Sequence, residues 1–131
     1  MDLHQFDESF WRTLQQVLST HNVVIDRPRG TAHPRYPELI YPLDYGYVEG
    51  IKAVDGNELD VWKGSKSEER VSGILCTVDT LKGDTEMKIL LCCTQEEMQT
   101  VYQFQNSRIM HALLIQRESS AFDLSNDRQL A

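Results

Sequence analysis

The stretch Asp55-Gly56-Asn57-Glu58-Leu59-Asp60 sets two aspartates on either side of a glycine turn and a strand start. Carboxylates borne by a turn and by the strand after it can converge on one point. A hard cation such as Mg²⁺ asks this of its oxygen ligands. Alone the spacing is weak, because an aspartate before a turn glycine more often caps the backbone. A second feature, Tyr41-Pro42-Leu43-Asp44-Tyr45-Gly46-Tyr47, crowds tyrosines together. Their hydroxyls can donate to phosphate oxygens, and the same cluster also reads as an aromatic corner of the core. In a third, Glu86-Met87-Lys88-Ile89, a carboxylate and an ammonium share one face of a strand while Met87, Ile89 and Leu91 take the buried one. The polar pair could serve a metal and a phosphate, or form an exposed ion pair of little energetic weight.

The elements that must position these groups follow from periodicity. Phe6, Phe10, Leu14, Val17 and Leu18 recur at helical spacing, with Asp7 or Ser9 as a cap and Asn22 as the end. Val23 to Asp26 reads as a short strand, followed by a breaker-rich loop, Arg27-Pro28-Arg29-Gly30, with Pro34 and Pro37 beyond. In Glu58 to Trp62 the alternation places Asp60 and Trp62 on one side and Leu59 and Val61 on the other. Two further strands, about Val71–Asp79 and Glu86–Cys92, are joined by the turn Lys82-Gly83-Asp84. Thr94-Gln95-Glu96-Glu97 has the form of a capping box opening a helix with Met98, Val101, Tyr102 and Phe104. His111 to Arg117 is a last strand, and the polar segment 118–131 has no period and is expected to fray. The pattern predicts a single α+β, mainly β domain over 1–131, its core at about 23–117. It is expected to form a closed or nearly closed barrel with an N-terminal helix and one further flanking helix.

Bulk properties narrow the function. The 131 residues suffice for one core, and no run approaches the ~18 apolar residues that span a bilayer. The acidic, polar start MDLHQFDESF lacks the regions of a signal peptide, so a cytoplasmic protein without membrane association is expected. Cys76, Cys92 and Cys93 lie in apolar runs without C-x-x-C spacing, which points to buried, inert thiols. A formal charge of −7 argues against nucleic acid, whose backbone demands a basic surface. It does not argue against phosphate, since carboxylates can hold cations that in turn hold phosphates.

Taken in order, the three features resemble the soluble inorganic pyrophosphatases over about residues 23–93. That family carries Y-P-x-N-Y-G-(Y/F)-(I/V), then D-(G/S/N)-D-P-(L/I/V)-D-V about ten residues later, then D-x-K-(L/I) on a hairpin. The counterparts here are Tyr41 to Val48, Asp55 to Val61, and Glu86 to Ile89. Ile25 to Gly30 looks like an altered form of the family's first-strand motif. The resemblance implies a five-stranded barrel of the OB type, so a small five- to six-stranded OB-like closed barrel is expected. It also implies Mg²⁺-dependent hydrolysis of pyrophosphate or a related small phosphoanhydride, with Mn²⁺ as an alternative ion and a homo-oligomer as a common assembly. Asp55 and Asp60 match metal-holding aspartates, Glu86 takes the place of a third, Lys88 matches the phosphate-binding lysine, and Tyr45 matches a site tyrosine.

The sequence also departs from that pattern. Asn57 stands where the family has the aspartate proposed as general base, and an amide accepts no proton at neutral pH. Asp44 replaces an asparagine. The hairpin before the tyrosine motif is shorter by roughly fifteen residues and lacks its lysine and arginine phosphate ligands. Arg27, Arg29, Arg35 and His33 are the candidates to replace them, and His33 is the one nearby histidine that could stand in for the base. Tyr41, Tyr45, Lys88, Arg29 and Arg35 make up the expected phosphate side. A catalytically weak relative that binds a metal, phosphate or a partner is the competing expectation. An OB-type module for single-stranded nucleic acid fits the acidic chain poorly.

Overall fold

The computed structural model describes residues 3–54, 56–107 and 109–118. Helix α1 (Leu3–Ser19) leads into β1 (Val23–Arg27), β2 (Asp44–Lys52), β3 (Glu58–Lys63), β4 (Val71–Asp79) and β5 (Asp84–Leu91). Helix α2 (Gln95–Gln105) and β6 (Met110–Gln116) follow. The strands form one sheet in the order β1-β2-β3-β5-β4-β6, with β3 and β5 parallel and every other pair antiparallel. The expected closure of the barrel is not met: among the described residues β1 and β6 are separate edges, and the mainly β α+β sheet is open.

The period-two pattern of the central strands sorts the core into two layers. Leu59, Val61 and Val48 join Ile74, Ile89 and Leu91 on one face, covered by Trp11 and Leu18 of α1. The other face carries Trp62, Leu75 and Leu90 with Tyr41 and Leu43, covered by Met98 and Val101 of α2. The seat of α1 corrects the expected helical stripe. Trp11 rather than Phe10 enters the core, while Phe6, Phe10 and Val17 stay exposed. The helix already includes Leu3, so neither Asp7 nor Ser9 caps it. The Gln15 side chain accepts the Val71 N–H at 2.8 Å, tying α1 to the start of β4.

Helix α2 starts as the capping box predicts. Thr94 accepts the Glu97 N–H, and Glu97 reaches back to the Thr94 N–H. Burial works to raise the Glu97 pKa, but the backbone N–H groups of Thr94 and Ser65 outweigh it and hold the carboxyl below its ordinary value. At the other end of the helix Trp62 Nε1 donates to Gln105 Oε1 at 3.2 Å, fixing α2 over β3. The three thiols are free. Burial pushes Cys93 up to about 12, in keeping with an inert core residue.

Candidate active site

Strands β3 and β5 run parallel side by side, so Asp60 of one and Glu86 and Lys88 of the other meet on the α2 face of the sheet. The Lys88 ammonium donates to Tyr45 Oη at 2.8 Å, Asp60 Oδ2 at 2.9 Å and Glu86 Oε2 at 3.2 Å. An ammonium has three N–H donors, and these contacts engage all of them. Lys88 is 5% exposed, whereas the Asp60 and Glu86 side chains keep 32% and 30% exposure. Of the two expectations for this pair, the exposed ion pair is not what forms: Lys88 is a buried cation whose anionic partners are part-exposed. Burial by itself would lower the Lys88 pKa. Contact with Tyr45 and the Asp60 carboxylate overrides this and raises it. Burial raises the Tyr45 pKa, so the phenol remains protonated.

These groups form the floor of a cleft of about 560 Å³. A β-bulge in β1 between Ile25 and Arg27 sets its opposite wall, because it places Arg27 rather than Asp26 across from Tyr45. The Arg27 guanidinium donates to Tyr41 Oη and lies over the Tyr41 and Tyr45 rings, 5.6 and 5.8 Å from their centroids. Gly46 permits this close approach of β1. A Cβ there would stand 1.8 Å from the Val24 carbonyl oxygen. Arg27 thus ends a strand instead of lying in the loop, and it is an arginine of the cleft wall.

The shortened loop between β1 and β2 is itself an ordered hairpin, with Ala32 bridged to Ile40 and His33 N–H donating to Leu39 O at 2.8 Å. Its residues reach the cleft unequally. Arg35 and His33 line it, but Arg29 is exposed and held by its main chain, whose N–H donates to Asp44 Oδ1 at 2.8 Å. His33 Nδ1 accepts the N–H groups of Arg35 and Tyr36, at 3.0 and 3.2 Å. Partial burial and the charges of Arg27 and Arg35 lower its pKa, so the ring is neutral at pH 7 and carries its proton on Nε2. With Nδ1 engaged as an acceptor, Nε2 is the ring's donor.

Among the other sequence candidates, Tyr41 is buried and Tyr45 is enclosed against Lys88. Asn57 lies in the turn before β3, exposed, with its carbonyl accepting the Ala53 N–H at 2.7 Å, and it is not part of the cleft lining. Asp55 lies outside the described residues. Periodicity underrates Phe104, which lines the cleft and packs on both Tyr41 and Trp62, and it misses Tyr36, Leu39 and Met110 elsewhere in the lining. No motif marks these four. They are gathered by the loop hairpin, by α2 and by the start of β6.

Mg²⁺ characteristically takes one or two carboxylates and completes its shell with water and phosphate oxygens. Asp60 and Glu86, both in hydrogen-bonding reach of one ammonium, suit that requirement. No group of three or more potential ligand side chains gathers among the described residues.

Several solved structures share this architecture. An inorganic pyrophosphatase from Neisseria gonorrhoeae superposes with a TM-score of 0.58 at 18% identity, over 72% of this chain and 80% of the other. An inorganic phosphatase from Anaplasma phagocytophilum gives 0.55 at 14% identity, over 82% and 86%. The inorganic pyrophosphatase of Helicobacter pylori gives 0.52 at 12% identity, over 82% and 88%. The fold is pyrophosphatase-like. No family model matches the sequence and no curated protein does. Among the described residues no helix is long and apolar enough to cross a membrane.

Proposed function

We propose that the protein hydrolyses inorganic pyrophosphate or a related phosphoanhydride, with Mg²⁺, or Mn²⁺ in its place, held by Asp60 and Glu86 and completed by Asp55. The observation that carries this reading is the buried Lys88 ammonium between two outward-facing carboxylates on the floor of a cleft. In the reaction the oxygen of a water bonds to one phosphorus and the bridging P–O bond breaks. The leaving phosphate keeps the electron pair, and the water's proton passes to solvent. A divalent ion, when bound, neutralises phosphate charge and activates the water.

The chain's own residues bind and orient. Lys88 exchanges its longest bond, the one to Glu86, for a phosphate oxygen. Glu86 would then be one of the carboxylates to hold a divalent ion. Tyr45 keeps the ammonium in place, Arg27 braces Tyr41, and Arg35 supplies charge at the rim. His33 Nε2–H is a donor available to a phosphate oxygen. Phosphate release from pyrophosphate with Mg²⁺, against the same assay in EDTA, tests the reading.

The second reading, a catalytically weak relative that binds a phosphate ligand, is favoured by two facts. Position 57 is an amide on an exposed turn, and every donor of Lys88 is engaged inside the protein. Tight binding of pyrophosphate without release of phosphate would select it.

A further inference from the structure

We infer that the ligand of this cleft is a nucleoside 5′-diphosphate or its close relative, a phosphoanhydride bearing a planar aromatic group, rather than free pyrophosphate. The inference deepens the phosphoanhydride reading above and rests on it. Its first ground is size. Clefts of ~300–1,000 Å³ are those that enclose drug-sized organic molecules. At about 560 Å³ this one falls within that range, well beyond what two phosphates need.

The second ground is the character of the wall. The charges of Lys88, Asp60 and Glu86 are joined in the lining by Arg27 and, along the β4–β5 hairpin, by Asp79, Lys82 and Asp84. From Lys88 a file of rings leads away along one side. Tyr45 lies over the Lys88 ammonium, 5.2 Å from it, and packs on Tyr41 at 5.5 Å. Tyr41 stacks on His33 at 5.9 Å with planes only 5° apart, and His33 meets Tyr36 at 5.2 Å. Tyr41 is buried, so the inner rings build the floor. Tyr36, at 37% exposure, remains open at the far end. Leu39, whose N–H donates to Tyr36 O, adds apolar lining there, and Phe104 covers Tyr41 and Trp62. A diphosphate alone would leave the open Tyr36 ring uncovered. A purine or pyrimidine joined to the diphosphate through a sugar would cover it by stacking, which every base can do.

The third ground is the net charge at the far end. Arg35 faces the cleft beside Tyr36, and His33 is held neutral. A guanidinium can stack on a base or pair with a sugar-linked phosphate, while a neutral ring next to it does not repel the cations that accompany phosphate. In the reaction the water's oxygen bonds to the terminal phosphorus and the bridging P–O bond breaks. The nucleoside monophosphate leaves with the electron pair, and the proton goes to solvent.

The test compares ADP with inorganic pyrophosphate on the full chain in Mg²⁺, by phosphate release and by calorimetric binding, for the unmodified protein and for Tyr36→Ala and Tyr36→Phe. We expect ADP to be preferred at least about tenfold, the equivalent of 1.4 kcal/mol of stacking. Tyr36→Ala should bring the ratio of the two ligands toward one, and Tyr36→Phe should keep it. Preferred binding of ADP without phosphate release from either ligand would sustain the ligand assignment while removing hydrolysis. Release from pyrophosphate with no preference for ADP, or a preference unmoved by Tyr36→Ala, would overturn the inference and leave the proposed function standing. Failure to bind or hydrolyse either ligand would overturn both.

Discussion

The two faces of the sheet are built from the same strands yet obey different rules. On the α1 face β3 and β5 contribute Leu59, Val61, Ile89 and Leu91, closed over by Trp11 and Leu18. One residue along, the same strands contribute Asp60, Trp62, Glu86 and Lys88 to the cleft. The first face is stabilised by excluding water. The second keeps a charge cluster beneath a packed aromatic layer, with its cation inside and its anions part-exposed. A sheet that buries a lysine beside a wet cleft gives up apolar burial it could have had, and such sacrifices gather at functional sites.

The contrast between the faces is broken most severely on the dry side. Ile89→Ala removes a fully buried side chain and should cost ~2–5 kcal/mol in urea unfolding, leaving binding at the cleft intact in the folded fraction. Metal comes next. If Asp60 and Glu86 hold Mg²⁺, an ion at a hundred times its Kd adds about 2.7 kcal/mol to stability. The melting midpoint should then rise in millimolar Mg²⁺ over EDTA, and Asp60→Asn should abolish the rise. An unchanged midpoint would remove the metal site.

Lys88→Met should cost less, roughly 1–3 kcal/mol, because Asp60 and Glu86 keep enough exposure to turn to water. The sign of its pH dependence follows from the raised Lys88 pKa. The stabilisation is full below about 10.5, the ordinary lysine value, and is lost as pH rises through the higher folded value. The stability gap between the unmodified protein and Lys88→Met should therefore be constant through neutrality and narrow in strong alkali. The smallest change is expected from Asn57→Asp. The side chain lies off the cleft lining, so phosphate release should not move. A rise of ~10²–10⁴-fold, the worth of a positioned base, would show that the turn before β3 closes over the substrate.

Alternation alone makes β3 and β5 legible in the sequence. It places Asp60 with Trp62 and Glu86 with Lys88 on shared faces, and the Thr94 capping box marks the start of α2. Burial is not legible, because parity says which side a residue takes and not what covers it. Lys88 thus reads equally as half of a surface pair, although Tyr45, Asp60 and Glu86 enclose its ammonium. Arg27 is obscured by a bulge that shifts parity by one residue, a feature set by how β1 meets Gly46. Helical spacing allows two stripes on α1, and the one with Trp11 packs. Barrel closure depends on pairing between the first and last strands, which no local pattern encodes.

The central claim, that the Lys88 cluster is a phosphoanhydride site, is tested most directly by pyrophosphate binding measured calorimetrically in Mg²⁺ for the unmodified protein and for Lys88→Met. We expect binding in the first and a loss of at least about tenfold in the second, the equivalent of one charge-assisted hydrogen bond. Equal affinity in a folded Lys88→Met would contradict it.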